Sequence, residues 1–299
     1  MDRLHTMAIF LAVVDEGGFA PAARKLKISP PVVTRAVTEL EGSMGVRLLT
    51  RTTRVVRVTD VGARYATDCR RILADVAETE AAAAGTHAAP RGRLVITAPV
   101  LFGQMYVTPV VIEYLRRYPE ADVDCRFLDR VVNMMDEGID TAIRIGDLPD
   151  SSFQAVRVGQ VRQVVCASPG YLEARGIPLT PEDLTQHDVV SANALTPSPA
   201  WHFVREGRPL TVRVHPRMIT TTNDAAIAAV LGGFGVTRVI SYMVAHHLAA
   251  GRLKTILAAY ETAPVPVHVI HREGRQATRK VRAFLDLAIE TLRSDGALK

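Results

Sequence analysis

The sequence predicts an α/β protein in two parts. An N-terminal winged helix-turn-helix is joined by a long helix to a larger region in which strands and helices alternate. Three observations carry this. Positive charge is concentrated: residues 18–59 hold eight basic against two acidic side chains, a net +6, while the whole chain is +5. Three short apolar stripes at helical spacing follow one another up to residue 44, separated by tight turns. Beyond residue 92, β-rich runs alternate with helical stretches, the pattern of open sheets with helices on both faces. At 299 residues, with 48% hydrophobic and 22% charged side chains, the chain supports about two cores and is neither disordered nor fibrous.

The elements follow in order. Leu4, Met7, Leu11 and Val14 recur at helical spacing, so residues 4–15 are expected as a first helix, ended by Gly17-Gly18. Phe19, Ala22, Ala23 and Leu26 make a second, with Ala20 at the cap and Pro21 at the first helical position. Ile28 marks a turn, Ser29 is a good N-cap, and Pro30 opens a third helix. On that helix Val33, Val37, Leu40 and Met44 form the buried stripe. Pro31, Arg35 and Thr38 lie opposite, flanked by Val32 and Thr34. A solvated surface is the default reading of one such helix. Three short helices within a basic block favour a helix that enters a DNA groove.

Residues 45–49 and 55–58 are β-rich and flank a basic polar tip, which reads as a hairpin wing. Its Arg51 and Arg54 are placed to meet phosphates or a minor groove. Thr59 can cap a helix starting at Asp60. Val61, Tyr65, Cys69, Ile72, Val76, Thr79 and Ala83 then form a seam over about 25 residues, roughly 40 Å, which implies a partner helix. The expected division is residues 1–59 for DNA binding, 60–86 for the linking helix, 87–92 for a hinge and 93–299 for the α/β region.

In that region strands are expected at 93–98, 122–128, 140–145, 162–167, 212–219, 235–240 and 265–271. Helices are expected at 105–118, 169–175, 224–232 and 276–293. Ligands of open α/β sheets sit at the carboxyl ends of strands. That points to Pro99, Val100, Leu101, Phe102 and Gly103, to Arg144 and Ile145, and to Asn193, Thr221, Asn223 and Thr237. Amides at the helix starts near 100–105 and 224 would suit an anion.

The run Phe19-Ala20-Pro21-Ala22-Ala23-Arg24-Lys25-Leu26, with Ile28-Ser29, Val33-Thr34-Arg35, Leu40-Glu41 and Gly45-Val46-Arg47-Leu48-Leu49-x-Arg51-Thr52-Thr53-Arg54, resembles the LysR-type transcriptional regulators. The resemblance continues through Asp140-x-Ala142-Ile143-Arg144-Ile145-Gly146 and Ala167-Ser168-Pro169-x-Tyr171-Leu172, so it spans nearly the whole chain. It implies a periplasmic-binding-protein-like C-terminal domain of two α/β subdomains, the first about 93–161 and 266–299, the second about 162–265. It implies operator DNA, a small-molecule effector, a homodimer through residues 60–86 and a homotetramer. Arg35 is then expected to contact a base or phosphate, with Thr34, Thr38 and Ser29 beside it and the Pro31 and Val32 carbons near thymine methyls. Relatives that grip carboxylates commonly carry Ser or Thr near position 100. Val100-Leu101-Phe102 here implies a more apolar pocket for an aromatic or hydrophobic effector.

Other chemistries find little support. Cys69, Cys125 and Cys166 are sparse and odd in number, so each is expected as small buried filler. Neither a nucleophile elbow nor a P-loop occurs, and Gly232-Gly233-Phe234-Gly235 lacks dinucleotide spacing. His246-His247 and His268-x-x-His271 are the histidine clusters, expected to point apart, so no metal or cofactor is expected. No apolar run reaches the ~18 residues of a membrane span, and no signal segment is seen, so a cytoplasmic protein is expected. The competing readings are a solute-binding or carrier protein with a basic N-terminal appendage, and an α/β enzyme lacking any catalytic constellation.

Overall fold

The structure is a computed structural model that describes residues 2–51, 56–83, 89–148, 153–192, 200–271 and 277–299. The chain divides into two compact units, Met1–Gly92 and Arg93–Lys299.

In the first unit, α1 (Arg3–Asp15) starts at Asp2, whose carboxylate accepts the Leu4 amide at 3.3 Å. Ile9, Phe10 and Val13 are fully buried beside the expected stripe. The helix is apolar on several sides because α2, α3 and α4 all pack on it. α2 (Phe19–Leu26) begins two residues earlier than the cap reading had it: Gly18 is the N-cap, and Pro21 lies inside the first turn, where its missing N–H costs nothing. α3 (Pro30–Met44) buries Val33, Ala36, Val37 and Leu40. The wing is shorter than its β-rich runs: β1 (Leu49–Arg51) pairs antiparallel with β2 (Val56–Val58).

α4 (Asp60–Ala83) is capped by Thr59, whose Oγ1 accepts the Gly62 amide at 2.9 Å. The expected seam of this helix is corrected in its first half. Cys69 is fully buried, and Tyr65 and Ile72 pack into the unit's own core, with the Tyr65 and Phe10 rings 5.7 Å apart. That stretch needs no partner, because α1 already covers it. Val61, also counted in the seam, is exposed.

The second unit holds two five-stranded sheets. β3 (Gly92–Ala98) leads through α5 (Val100–Phe102) and a π-turn at Gly103–Val107 into α6 (Thr108–Arg117), then β4 (Ala121–Phe127), β5 (Thr141–Ile145) and β6 (Gln154–Val161). The second sheet opens at β7 (Gln163–Ala167), followed by α7 (Pro169–Arg175), β8 (Val189–Ala192), the hairpin β9 (Ala200–Arg205) and β10 (Arg208–Arg213), and β11 (Pro216–Thr220). α8 (Asn223–Leu231), β12 (Val236–Ile240), α9 (Ser241–Ala249) and β13 (Lys254–Ile256) complete it. β14 (Val265–His271) returns to the first sheet and α10 (Arg279–Ser294) covers it.

The first sheet runs β4-β3-β5-β14-β6, with β3 and β5 parallel and β14 antiparallel to both neighbours. The second runs β11-β8-β12-β7-β13. The single strand expected at 212–219 is two strands, β10 and β11, belonging to different sheets. α10 packs on α6 through Tyr114 and Phe284, ring centroids 5.7 Å apart. Trp201 is buried on β9, with the Arg238 guanidinium 5.5 Å over its ring. Cys69 and Cys166 are buried, but Cys125, on the edge strand β4, is exposed. Burial pushes the Cys166 thiol up to about 12, so it stays protonated and inert. Among the described residues no helix is long and apolar enough to cross a membrane.

Candidate nucleic-acid interface and ligand cleft

One face of α3 is docked and the other is open. Pro31, Val32, Arg35 and Thr38 are exposed and Thr34 is half-buried, while the opposite stripe is sealed. Ser29 is the N-cap, but its side chain makes no capping bond. The next two residues are prolines without N–H groups, and the first amides available, Val32 and Val33, donate to the Ser29 carbonyl at 3.0 and 3.4 Å. Thr38 donates its hydroxyl to the Thr34 carbonyl at 2.9 Å. Arg35 is 77% exposed, and its Nε donates to Glu39 Oε1 at 2.7 Å one turn on. That bond holds the Glu39 carboxyl below the usual carboxylate range. Exposed pairs of this kind are weak, so the bond biases the guanidinium along the open face without fixing it.

A residue not singled out as functional by sequence reasoning ties this helix to the wing. Glu41 Oε1 accepts the Leu48 and Leu49 amides at 2.8 and 3.0 Å. The Leu48 carbonyl in turn accepts from the Thr59 amide and hydroxyl at 3.0 and 3.1 Å. Gly62 lies so close to that carbonyl that a Cβ there would overlap it. α3, the wing and α4 therefore meet at Leu48. Arg51 ends β1; its side chain, and all of Arg54, lie outside the described residues.

A cleft of about 710 Å³ opens between the two sheets of the second unit. Of the candidate ligand residues, Pro99, Arg144, Ile145 and Asn223 line it. The others are elsewhere. Phe102 is fully buried, stacked on Tyr106 at 4.9 Å and edge-on to Tyr242 at 5.2 Å. Gly103 is buried against the Phe127 ring, which a Cβ would overlap. Leu101 packs against the same core. Thr237 is fully buried and donates to the Val190 carbonyl at 2.9 Å, so its hydroxyl serves the second sheet. Thr221 is exposed and away from the cleft wall, and Asn193 lies outside the described residues.

Two of the amides near position 100 are already engaged. Val100 donates to Asp129 Oδ1 at 3.0 Å, and Gly103 to the Pro99 carbonyl at 2.7 Å. At the other helix start, Thr222 Oγ1 accepts the Ala225 amide at 3.4 Å. The sequence reading missed Asp129, Phe153 and Tyr242, which also line the cleft. Asp129 meets residue 100 across 29 positions of chain, beyond the reach of any local pattern. Among the described residues no group of three His, Cys, Asp or Glu side chains is placed to hold a metal. His246 and His247 do not point apart: their ring centroids are 3.7 Å from each other.

Comparison with known proteins places both halves. Residues 4–63 match the bacterial regulatory helix-turn-helix protein, lysR family, and residues 87–293 match the LysR substrate binding domain. An HTH-type transcriptional regulator of Xanthomonas campestris is 32% identical over 98% of this chain and 86% of its own length. The HTH-type transcriptional activator AaeR of Escherichia coli is 30% identical over 96% of this chain and 93% of its own. Among solved structures, CrgA of Neisseria meningitidis superposes with a TM-score of 0.62 at 27% identity, covering 96% of this chain and 98% of that one. Full-length AphB of Vibrio cholerae has the same fold, with a TM-score of 0.62 at 24% identity.

Proposed function

The chain belongs to the LysR family of bacterial transcriptional regulators, and on that premise we propose how its parts divide the work. It is a sequence-specific DNA-binding regulator with a C-terminal effector-binding domain. α3 enters the major groove, with Arg35 reading a base or phosphate, Thr34, Thr38 and Ser29 serving nearby phosphates or bases, and Pro31 and Val32 against thymine methyls. Arg51 and Arg54 of the wing meet the backbone or the minor groove. The observation that carries this is the split of α3 into a fully buried stripe and an open face bearing a guanidinium.

A second copy packs against residues 60–86 on the surface that α1 leaves open, setting two α3 helices against half-sites about 34–36 Å apart. Two such dimers form a tetramer. The effector binds in the cleft between the sheets and shifts the population of subunit arrangements, and with it the bend or spacing of bound DNA. The protein acts in the cytoplasm, by binding rather than by catalysis. The test is a gel shift of the full chain on the upstream intergenic duplex. Specific binding that weakens steeply with added salt supports this reading. Equal affinity for that duplex and for unrelated DNA overturns it.

A further inference from the structure

We propose that the effector is an organic anion whose acidic group pairs with Arg144 and His268, its apolar body lying on Leu128, Val132, Phe153 and Ile270. This rests on the cleft being the effector site and adds the chemical class and the orientation of what enters it.

Four observations converge. The cleft, about 710 Å³, is of the size that encloses a small organic molecule, and most of its wall is hydrocarbon. Within that wall stands Arg144 of β5, whose Nη2 is buried and has no hydrogen-bond partner among the described residues. Its neighbour Arg130 differs: it donates to both Glu137 oxygens, at 2.7 and 2.9 Å. A buried guanidinium nitrogen without an acceptor is costly, and a carboxylate supplies two acceptors in a matching plane. Burial lowers the Arg144 pKa, yet guanidinium remains charged in proteins.

Next, Arg144 faces His268 directly across the β5–β14 register, so both side chains stand on one face of the sheet. His268 Nδ1 is likewise buried without a partner among the described residues. Two orphaned polar atoms on adjacent strands make a seat for one anionic group. Last, the competing seat is filled. Asp129 accepts the Val100 amide, so an acidic ligand would meet a carboxylate at the start of α5. The acid group therefore seats on the Arg144 guanidinium rather than beside Asp129.

The experiment uses the full chain and defined probes: 3-phenylpropanoate, 2-naphthoate and octanoate, each beside its carboxamide and its primary alcohol. Thermal shift and titration calorimetry are read for wild type, Arg144→Met, Arg144→Lys and His268→Gln. The expected result is stabilisation of wild type by at least one acid and not by its neutral analogues. Arg144→Met should weaken that acid by about tenfold or more, and Arg144→Lys by less, since it keeps the charge. Should Arg144→Met fail to fold, His268→Gln carries the test, with a smaller loss of acid affinity expected. Neutral analogues that bind as tightly as the acids, variants that bind the acid as wild type does, or no binding by any acid would each overturn the proposal. Failure of the wild-type gel shift overturns the regulator reading instead, so the two failures are distinguishable.

Discussion

Arg35 and Glu39 sit one turn apart on the open face of α3, paired at 2.7 Å. Arg35→Ala should weaken specific binding by ~1–3 kcal/mol and relax discrimination at one base position; an unchanged ratio of specific to non-specific affinity would remove Arg35 from the reading set. Glu39→Gln should leave the melting temperature unchanged and tighten non-specific binding, because it deletes a negative charge from that face. A second residue carries a pH dependence. Burial is the main cause holding the His187 imidazole below its ordinary value of 6.5. The folded state then takes up a proton less readily than the unfolded chain. Stability should fall as pH drops through the unfolded value near 6.5 and level off below the folded one. Denaturant titrations across that window should show a shallower slope in His187→Gln than in wild type, the remainder coming from groups such as His247, which burial also holds below 6.5. How much of this was legible depends on distance along the chain. The face of α3 was readable because its neighbours are three and four residues away. Thr237 was not, since its hydroxyl is consumed by a carbonyl 47 residues away.

Elements fix which changes act on structure and which on recognition. Glu41→Ala leaves the Leu48 and Leu49 amides without their acceptor and should cost about 1–3 kcal/mol by chemical denaturation. Gly62→Ala forces a methyl onto the Leu48 carbonyl and should destabilise the first unit by about 1–3 kcal/mol or more. Gly103→Ala should likewise destabilise the second unit, because Phe127 fills the space; a ligand-binding defect with unchanged stability would contradict its place in the core. The sequence predicted α7 and β14 to the residue, since a Ser-Pro start and an unbroken β-rich run mark them. It left out β6, although Val156, Val158 and Val161 hint at a strand, because Arg157, Gly159 and Gln160 interrupt the apolar run. The seam of α4 misled for a related reason: apolar spacing shows that a face is covered, not by which helix.

At the scale of the whole molecule, the cores do not mix. Every residue of the N-terminal cluster lies between Leu4 and Leu73, and the other three clusters lie between Leu94 and Leu298. Calorimetry should therefore resolve separate responses. Leu40→Ala should lower stability of the first unit by about 2–5 kcal/mol and leave the second in place, with Phe284→Ala doing the reverse. One transition shifted equally by both variants would contradict this. The position of β14 has a consequence for biosynthesis. It is the inner strand between β5 and β6, and β6 has no other neighbour in its sheet. During translation β6 therefore waits, without its sheet neighbour, until residues 265–271 leave the ribosome, whereas β7 to β13 emerge before them. A message truncated upstream of codon 265 should yield polypeptide with two naked strand margins, prone to aggregate and fit for proteolysis.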